Sequence, residues 1–188
     1  MSCSAIVLCG GLGRRVGGAD KGRLPWGNTT LVESVLERIR PQVDDIVISA
    51  NRHRDWYAGL GYTVVGDSRP DFQGPLAGLE AGIPHCSHSD ILVVCCDTPE
   101  LPTELVSRLL APLADPKVDV SFARTAGQDH YLASVIRQRL GAGITHYLDS
   151  GERSVRGWHK HLRVAPVDFS DCNEAFLNVN ELESKNPP

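Results

Sequence analysis

A stretch of fifteen residues near the start of the chain, 8–22, reads LCGGLGRRVGGADKG and holds six glycines and three cations. Glycines let successive backbone N–H groups converge on an anion. Arg14, Arg15 and Lys21 add charge that pairs with phosphate oxygens. Because the stretch directly follows the apolar run 5–8, it predicts a polyphosphate-binding loop after the first strand, in preference to a surface loop with solvated cations.

Two common phosphate-binding loops do not fit this stretch. A P-loop requires Ser or Thr after its lysine, whereas Gly22 follows Lys21. A dinucleotide-binding loop requires a third glycine where Val16 stands, and an acidic residue at the end of the second strand, which here closes with Asn51. The pattern therefore argues against both a P-loop nucleotide hydrolase and a dehydrogenase.

Asp97 follows the apolar run 91–96 and is expected at the carboxyl end of a central strand. A carboxylate there has two interpretations: a metal ligand, or the N-cap of a helix predicted over 102–113. Magnesium is held by one or two carboxylates together with phosphates and waters. With a phosphate loop on the neighbouring strand, the sequence favours Asp97 as a Mg²⁺ ligand.

Short β-branched runs alternate with amphipathic helical patterns along the first 125 residues, which predicts an α/β fold with a mostly parallel sheet. We treat residues 1–188 as one domain, in which the second part lines the other half of a cleft. Strands are predicted at 5–8, 46–50, 63–65, 91–95, 118–123, 131–136 and 163–169, and helices at 31–40, 55–60, 76–83, 104–113 and 141–149.

The composition is that of a globular protein, with 41% hydrophobic and 22% charged residues. The formal net charge of −4 argues against nucleic acid as a partner. No apolar stretch approaches the roughly 20 residues of a membrane span, and a signal peptide is not evident, so we expect a cytoplasmic protein without a membrane partner. The six cysteines form no C-x-x-C pair and are expected to be reduced and mostly buried.

Several short motifs, in order, give the chain a family resemblance. L-x-G-G and G-G-x-D-K-G lie in the glycine-rich loop, and Ala-Asn-Arg, Gly-Asp-Ser, Gly-Pro-Leu-Ala-Gly, Cys-Asp-Thr-Pro and Asn-Val-Asn begin at residues 50, 66, 74, 96 and 178. From about residue 6 to residue 180, this set closely resembles the molybdenum cofactor guanylyltransferases. That resemblance implies a three-layer Rossmann-like sandwich of the nucleotide-diphospho-sugar-transferase type.

The resemblance also implies a reaction. Members of this nucleotidyltransferase family attach GMP from GTP to the terminal phosphate of molybdenum-bearing molybdopterin, release pyrophosphate and require Mg²⁺. The implied partners are GTP and molybdenum-molybdopterin, with recipient molybdoenzymes, their chaperones and other cofactor-pathway proteins.

Arg15, Lys21 and Asp97 are the expected catalytic residues, and the charge of the loop gives Arg15 and Lys21 the largest electrostatic roles. Carried over by position, the resemblance implies that Lys21 holds the phosphates of GTP and that Asp97 is the metal ligand. It places Asn178 and Asn180 on the pterin side or near the metal. The residues expected to contact the nucleotide are Leu8, Cys9, Gly10, Gly11, Lys21, Asn51, Asp67, Gly74, Pro75, Leu76, Gly78 and Asp97.

Two other functions stay open on the sequence alone. One is a different NTP transferase on the same scaffold, such as the cytidylyltransferase of the same cofactor pathway. The other is a non-catalytic GTP- or cofactor-binding protein that hands the cofactor to apo-enzymes, although Lys21 and Asp97 together argue against it.

Four local features fit the family pattern less well or carry no function in it. His130 is followed by Tyr131 and Leu132 where the family commonly has His-Pro-Thr, and Cys9 stands where Ala is common. The His-Cys-Ser-His run at 85–88 is interpreted as loop residues and not as a zinc site. The basic cluster 159–161 has two interpretations, a contact to the anionic pterin substrate or a solvated surface.

Overall fold

The computed structural model describes residues 2–10, 20–70 and 73–179, and these form a seven-stranded sheet with helices on both faces. The strand order is β5-β4-β1-β6-β8-β7-β9, and a two-stranded hairpin, β2-β3, lies apart from it. The strands are β1 Ser4–Leu8, β2 Pro25–Trp26, β3 Thr29–Thr30, β4 Asp45–Ser49, β5 Thr63–Val65, β6 Asp90–Cys95, β7 Val120–Thr125, β8 Gln128–Arg137 and β9 Val164–Asp168.

The six α-helices divide between the two faces of the sheet. They are α1 Leu31–Ile39, α2 Arg54–Ala58, α3 Pro75–Gly82, α4 Leu105–Leu110, α5 Gly141–Asp149 and α6 Val155–His159. Apolar side chains of α1, α2 and α4 share one buried cluster with the sheet, and those of α3, α5 and α6 share the other. The predicted three-layer α/β sandwich is therefore confirmed.

Strand direction determines where ligands can bind. β5, β4, β1 and β6 are parallel, so their carboxyl ends meet at one edge of the sheet. β8 runs antiparallel to both β6 and β7, so its first residues lie at the same edge. In open α/β sheets, ligands bind in the crevice at this edge.

Most of the predicted elements are confirmed to within two or three residues. The helix that starts after Thr30 has the expected capping box, in which the Glu33 carboxylate accepts the Thr30 N–H at 3.0 Å. The helix predicted over 104–113 is shorter: α4 spans Leu105–Leu110 with Glu104 as its N-cap, and a 3₁₀ turn continues it. Asp97 therefore does not cap this helix, and that interpretation of it is wrong.

All six cysteines are free thiols, and three of them, Cys3, Cys86 and Cys96, are buried. Burial raises the pKa of the Cys86 thiol to about 12, and its Sγ donates to the Gly82 carbonyl oxygen at 3.7 Å. Among the described residues, no helix has the length and apolar character that a membrane span requires.

Candidate functional site

Lys21 and Asp97, 76 positions apart in the chain, form an ion pair at the carboxyl edge of the sheet. The Lys21 Nζ lies 3.1 Å from the Asp97 Oδ2, and the two side chains are 30% and 23% exposed. Lys21 begins the 3₁₀ turn Lys21–Arg23, and Asp97 lies two residues beyond the end of β6. A cation and a carboxylate are therefore held together at the surface of the crevice, where a triphosphate and its metal ion would both need them.

A second polar pair follows the next two strands of the sheet. The Asn51 side chain donates from Nδ2 to the Asp67 carboxylate at 2.7 Å, and its Oδ1 accepts the Asp67 backbone N–H, also at 2.7 Å. Asn51 follows β4 and Asp67 follows β5, so the parallel pairing of these strands brings them together. The two hydrogen bonds fix both side chains relative to the backbone at the edge of the crevice.

The Asp67 carboxyl is half-buried, and burial raises its pKa above the ordinary value. The hydrogen bond from Asn51 acts in the opposite direction, and the Glu80 carboxylate adds to the rise. Burial therefore favours the neutral form of the Asp67 carboxyl, and the hydrogen bond from Asn51 stabilises the charged form.

A buried tyrosine anchors the turn that carries Lys21. The Tyr57 hydroxyl is fully buried and donates to the Asp20 carboxylate at 2.7 Å. A Cβ on Gly22 would lie 2.4 Å from that hydroxyl oxygen, so only glycine lets the turn pack this closely. Desolvation is the main reason that the pKa of Tyr57 is raised, which keeps the phenol protonated and donating.

This anchor is not evident from the sequence. Asp20 and Gly22 belong to the motif that contains Lys21, but nothing in the spacing of the chain points to Tyr57 as their partner. From sequence alone, a tyrosine in a short helix between two strands is expected to be an ordinary core residue. Its polar role depends on a contact across 37 positions of the sequence.

The last described residues of the chain lie at the same edge of the sheet as Asp97. The Val179 backbone N–H donates to the Asp97 carbonyl oxygen at 3.1 Å, which places the neighbouring Asn178 beside Asp97. The expectation that Asn178 lies on the pterin side or near a metal ion stays a prediction.

The Gly-Pro-Leu-Ala-Gly run forms the start of α3, and its members face in different directions. Gly74 is exposed with φ +85°, and Pro75 occupies the first turn. Leu76 and Gly78 are buried, and a Cβ on Gly78 would lie 2.6 Å from the Ser49 Oγ and 2.8 Å from the Leu8 Cδ2. Gly78 is thus required for close packing of α3 on β1 and β4, whereas Gly74 and Pro75 are accessible at the edge of the crevice.

The first residues after β1 lie between these two polar pairs. Leu8 is 6% exposed, Cys9 is half-buried and Gly10 is exposed. The Cys9 backbone N–H donates to the Ser49 carbonyl oxygen at 2.8 Å, which extends the β1–β4 pairing. A hydrogen bond with the Cys9 thiol, together with burial, raises the pKa of Cys96 far above its ordinary value, so Cys96 stays a neutral thiol in the floor of the site.

The chain is similar over most of its length to known proteins. The MobA-like NTP transferase domain matches residues 5–164. A molybdenum cofactor guanylyltransferase from Shewanella sp. (strain MR-4) is 37% identical over 185 residues, which cover 98% of this chain and 94% of that protein. Another molybdenum cofactor guanylyltransferase, from Shewanella halifaxensis, is 36% identical over 181 residues, covering 96% and 90%.

This chain belongs to the MobA-like NTP transferase family. It is a nucleotidyltransferase, as the motifs at the carboxyl edge of the sheet predict. The crystal structure of molybdopterin-guanine dinucleotide biosynthesis protein A from Archaeoglobus fulgidus superposes with a TM-score of 0.76 and covers 94% of this chain and 92% of that one. At 19% sequence identity, that similarity supports the MobA-like fold and no finer statement.

Four of the residues to which the family resemblance assigns or leaves open a role, Gly11, Arg14, Arg15 and Asn180, lie outside the described residues. Their expected contacts to phosphate, metal or pterin stay predictions. One further expectation needs correction: His159 is 4% exposed, so it is not part of a basic surface cluster with Lys160 and His161. It packs against the rings of Phe122, Tyr131 and Trp158.

The donors around Asp97 suit the Mg²⁺ that the MobA-like family resemblance implies. The Asp97 carboxylate, 23% exposed beside Lys21, offers hard oxygen ligands and leaves room for phosphate oxygens and waters, which is the usual coordination of Mg²⁺. Among the described residues, the group of three metal-ligating side chains that lie within 4.8 Å of one another is Glu104, Asp171 and Cys172, away from Asp97 in the chain. Its carboxylates already pair with Arg108, so it offers no ready alternative site.

Proposed function

We propose that this protein transfers GMP from GTP to the terminal phosphate of molybdenum-bearing molybdopterin, and that Lys21 and Asp97 are its main catalytic side chains. The relatives that cover nearly the whole chain are named molybdenum cofactor guanylyltransferases, which supports this choice of donor and acceptor. The observation that carries the assignment of residues is the Lys21–Asp97 pair at the carboxyl edge of the sheet.

In the proposed reaction, an oxygen of the acceptor phosphate forms a bond to the α-phosphorus of GTP. The bond from that phosphorus to the oxygen bridging the β-phosphate breaks, and pyrophosphate leaves with that oxygen and the electron pair. The attacking phosphate is anionic at neutral pH, so the reaction needs no strong general base. The main difficulty is to bring two anions together and to stabilise the charge that grows on the leaving pyrophosphate.

The described residues address that difficulty. Lys21 pairs with the triphosphate, and this frees the Asp97 carboxylate from its present partner so that it can hold Mg²⁺. Bound there, Mg²⁺ supplies positive charge to the phosphate oxygens. The Tyr57–Asp20 hydrogen bond keeps the Lys21 turn in place before the nucleotide arrives, so that less reorganisation is needed on binding.

On the donor side, Asn51 and Asp67 offer a preformed hydrogen-bonding pair for the sugar or base of the nucleotide. Gly10, Gly74 and Pro75 are accessible around the same part of the crevice. Guanine in preference to cytosine is inferred from the relatives and not from these side chains.

Pyrophosphate release is the direct test of the reaction. We expect release with GTP, molybdenum-molybdopterin and Mg²⁺ together, and background release when any one of the three is left out. Release with CTP at equal or higher rates would keep the chemistry and refute the choice of guanine. Background release with either nucleotide, from protein that still binds GTP, would refute the transferase assignment and favour a handover role.

Asp97→Asn tests the central residue. We expect kcat to fall about 100-fold or more, because the variant loses the anionic metal ligand while keeping its size. GTP binding measured without Mg²⁺ should change little. Asp115→Asn, at an exposed loop residue, is the matched control; equal kcat values for the two variants would remove Asp97 from the mechanism.

A further inference from the structure

Two cysteine thiols, those of Cys9 and Cys96, meet at the carboxyl edge of the sheet. β1 and β6 are neighbouring parallel strands, and their last paired residues are Leu8 and Cys95. The Cys96 backbone N–H donates to the Leu8 carbonyl oxygen at 3.1 Å, which continues the pairing by one residue and sets Cys96 opposite Cys9. A hydrogen bond joins the two thiols.

The positions of these two residues in the sheet fit a disulfide. Neighbouring strands lie about 4.8 Å apart, and the Cα atoms of a disulfide are usually about 4.4–6.8 Å apart. The two side chains also share one face of the sheet, since Cys9 packs against the buried cluster that contains Cys96. A bond between the two sulfurs can therefore form without separating β1 from β6.

The other cysteines are placed less well for such a bond. Cys95 is next to Cys96 in the chain, but successive side chains of a strand point to opposite faces, and Cys95 packs against the other buried cluster. Cys3 and Cys86 are both buried, and each thiol donates to a backbone carbonyl oxygen. Cys9 and Cys96 thus combine contact between the thiols with access from the crevice.

Access differs between the two thiols. Cys9 is half-buried at the start of the glycine-rich loop, whereas Cys96 is 5% exposed. A small oxidant that enters the crevice therefore reaches Cys9 first, with Cys96 directly behind it. Redox-sensitive sites commonly consist of one accessible cysteine and a second, resolving cysteine beside it.

We infer that Cys9 and Cys96 are an oxidative modification site, at which hydrogen peroxide closes a disulfide that weakens GTP binding. The Cys9 sulfur attacks one peroxide oxygen, the O–O bond breaks, and a sulfenic acid and one water form. The Cys96 sulfur then attacks the sulfenic sulfur, the S–O bond breaks, and the oxygen leaves as a second water that takes up the Cys96 proton. Overall, two thiols lose two hydrogens and one peroxide becomes two waters.

The location of the pair explains why the bond affects the site. Cys9 begins the glycine-rich loop, and Cys96 directly precedes Asp97. Tyr57, which anchors the Lys21 turn, belongs to the same buried cluster as Cys96. Closing the bond draws the two sulfurs from hydrogen-bond contact to bonding distance, which moves the backbone that carries the predicted GTP contacts. The effect on GTP rests on the proposed function, whereas the disulfide itself does not.

Peptide mapping by mass spectrometry tests whether the bond forms. We expect the wild type treated with hydrogen peroxide to lose two hydrogens, and its digest to contain two peptides joined through Cys9 and Cys96. Bound GTP should slow the reaction, because Cys9 is an expected nucleotide contact. Cys9→Ala and Cys96→Ala should give no such cross-link. Cys86→Ala, the matched control at a buried cysteine, should give it at the wild-type rate.

Equilibrium binding of GTP tests the consequence, and each protein is compared with its own reduced form. We expect oxidation to weaken GTP binding about tenfold in the wild type and in Cys86→Ala, as for the loss of one hydrogen bond to a charged group. Dithiothreitol should restore the affinity. In Cys9→Ala and Cys96→Ala, the oxidised and reduced forms should bind GTP equally.

Oxidised wild type without the Cys9–Cys96 cross-link would overturn the inference. A cross-link that forms there and leaves GTP affinity unchanged would overturn it too. If reduced protein binds GTP but releases no pyrophosphate with the acceptor, the proposed function fails, and the cross-link and the GTP affinity still decide the inference. Reduced protein that does not bind GTP would overturn both. Should one alanine variant not fold, the other decides, since either lacks the bond.

Discussion

Replacement of His159 should remove a specific part of the pH dependence of stability. His159 is 4% exposed, and neither ring nitrogen has a hydrogen-bond partner among the described residues. Burial lowers its pKa from 6.5 to about 4, and the Asp129 carboxylate opposes this only in part. The folded protein therefore keeps the imidazole neutral over a pH range in which the unfolded chain protonates it.

The direction and the size of the effect on stability follow from this difference in pKa between the folded and unfolded states. Between about pH 6.5 and pH 4, the unfolded chain binds more protons at this residue than the folded protein does, so stability falls as the pH falls. At about pH 5, this residue alone should lower the free energy of unfolding by about 2 kcal/mol relative to neutral pH. Above about pH 7 both states are neutral, and the effect vanishes.

Urea unfolding at about pH 7.5 and about pH 5 measures this effect in the wild type and in His159→Leu. We expect the loss of stability between the two pH values to be about 2 kcal/mol smaller in the variant. His146→Leu, on the exposed face of α5, should keep the wild-type pH dependence. If acidification lowers the free energy of unfolding by the same amount in the wild type and in His159→Leu, the buried neutral imidazole does not contribute to the pH dependence of stability.

Two further predictions concern the nucleotide side. Gly22→Ala should lower the free energy of unfolding by about 1–3 kcal/mol, because the new Cβ lies 2.4 Å from the Tyr57 hydroxyl oxygen. In a Tyr57→Phe background, the same substitution should lower the free energy of unfolding much less. Equal losses in both backgrounds, measured by urea unfolding, would contradict the clash. Asn51→Ala removes both hydrogen bonds to Asp67, so GTP affinity measured by calorimetry should fall about tenfold. The same variant should raise the pKa of Asp67 further, and an unchanged value in an NMR titration would show that Asn51 does not stabilise the carboxylate.

The positions of many residues that we assign to the nucleotide could be predicted from sequence, because they depend on one topological rule. Runs of β-branched residues marked β1, β4, β5 and β6, and parallel strands place their carboxyl ends together. The residues just after those runs, including Lys21 in the first loop and Asp97 after β6, were therefore expected to meet. This rule explains why Lys21 and Asp97, 76 positions apart in the chain, form an ion pair at 3.1 Å.

Other parts of the structure could not be predicted in the same way, since their features depend on contacts that leave no periodic signal. A bulge at residues 131–133 of β8 is visible only when β8 is aligned with both of its neighbours. His159 lies in a stretch of basic residues, which from sequence is expected at the surface. Its burial depends on α6, a helix of five residues that the hydrophobic pattern does not predict. Tyr57 likewise shows its polar role only through Asp20.

The hydrogen bond from Val179 to Asp97 has a consequence for a chain that is still being synthesised. All of β1 to β6 leave the ribosome more than 80 residues before Val179 does, and domains generally fold from the N-terminal side during synthesis. The parts that we assign to the nucleotide can therefore assemble early, whereas Asp97 gains this backbone partner only after Val179 has left the ribosome. A product that ends directly before residue 179 would keep all nine strands but lack the hydrogen bond that places Asn178 beside Asp97, and we expect it to bind GTP without releasing pyrophosphate.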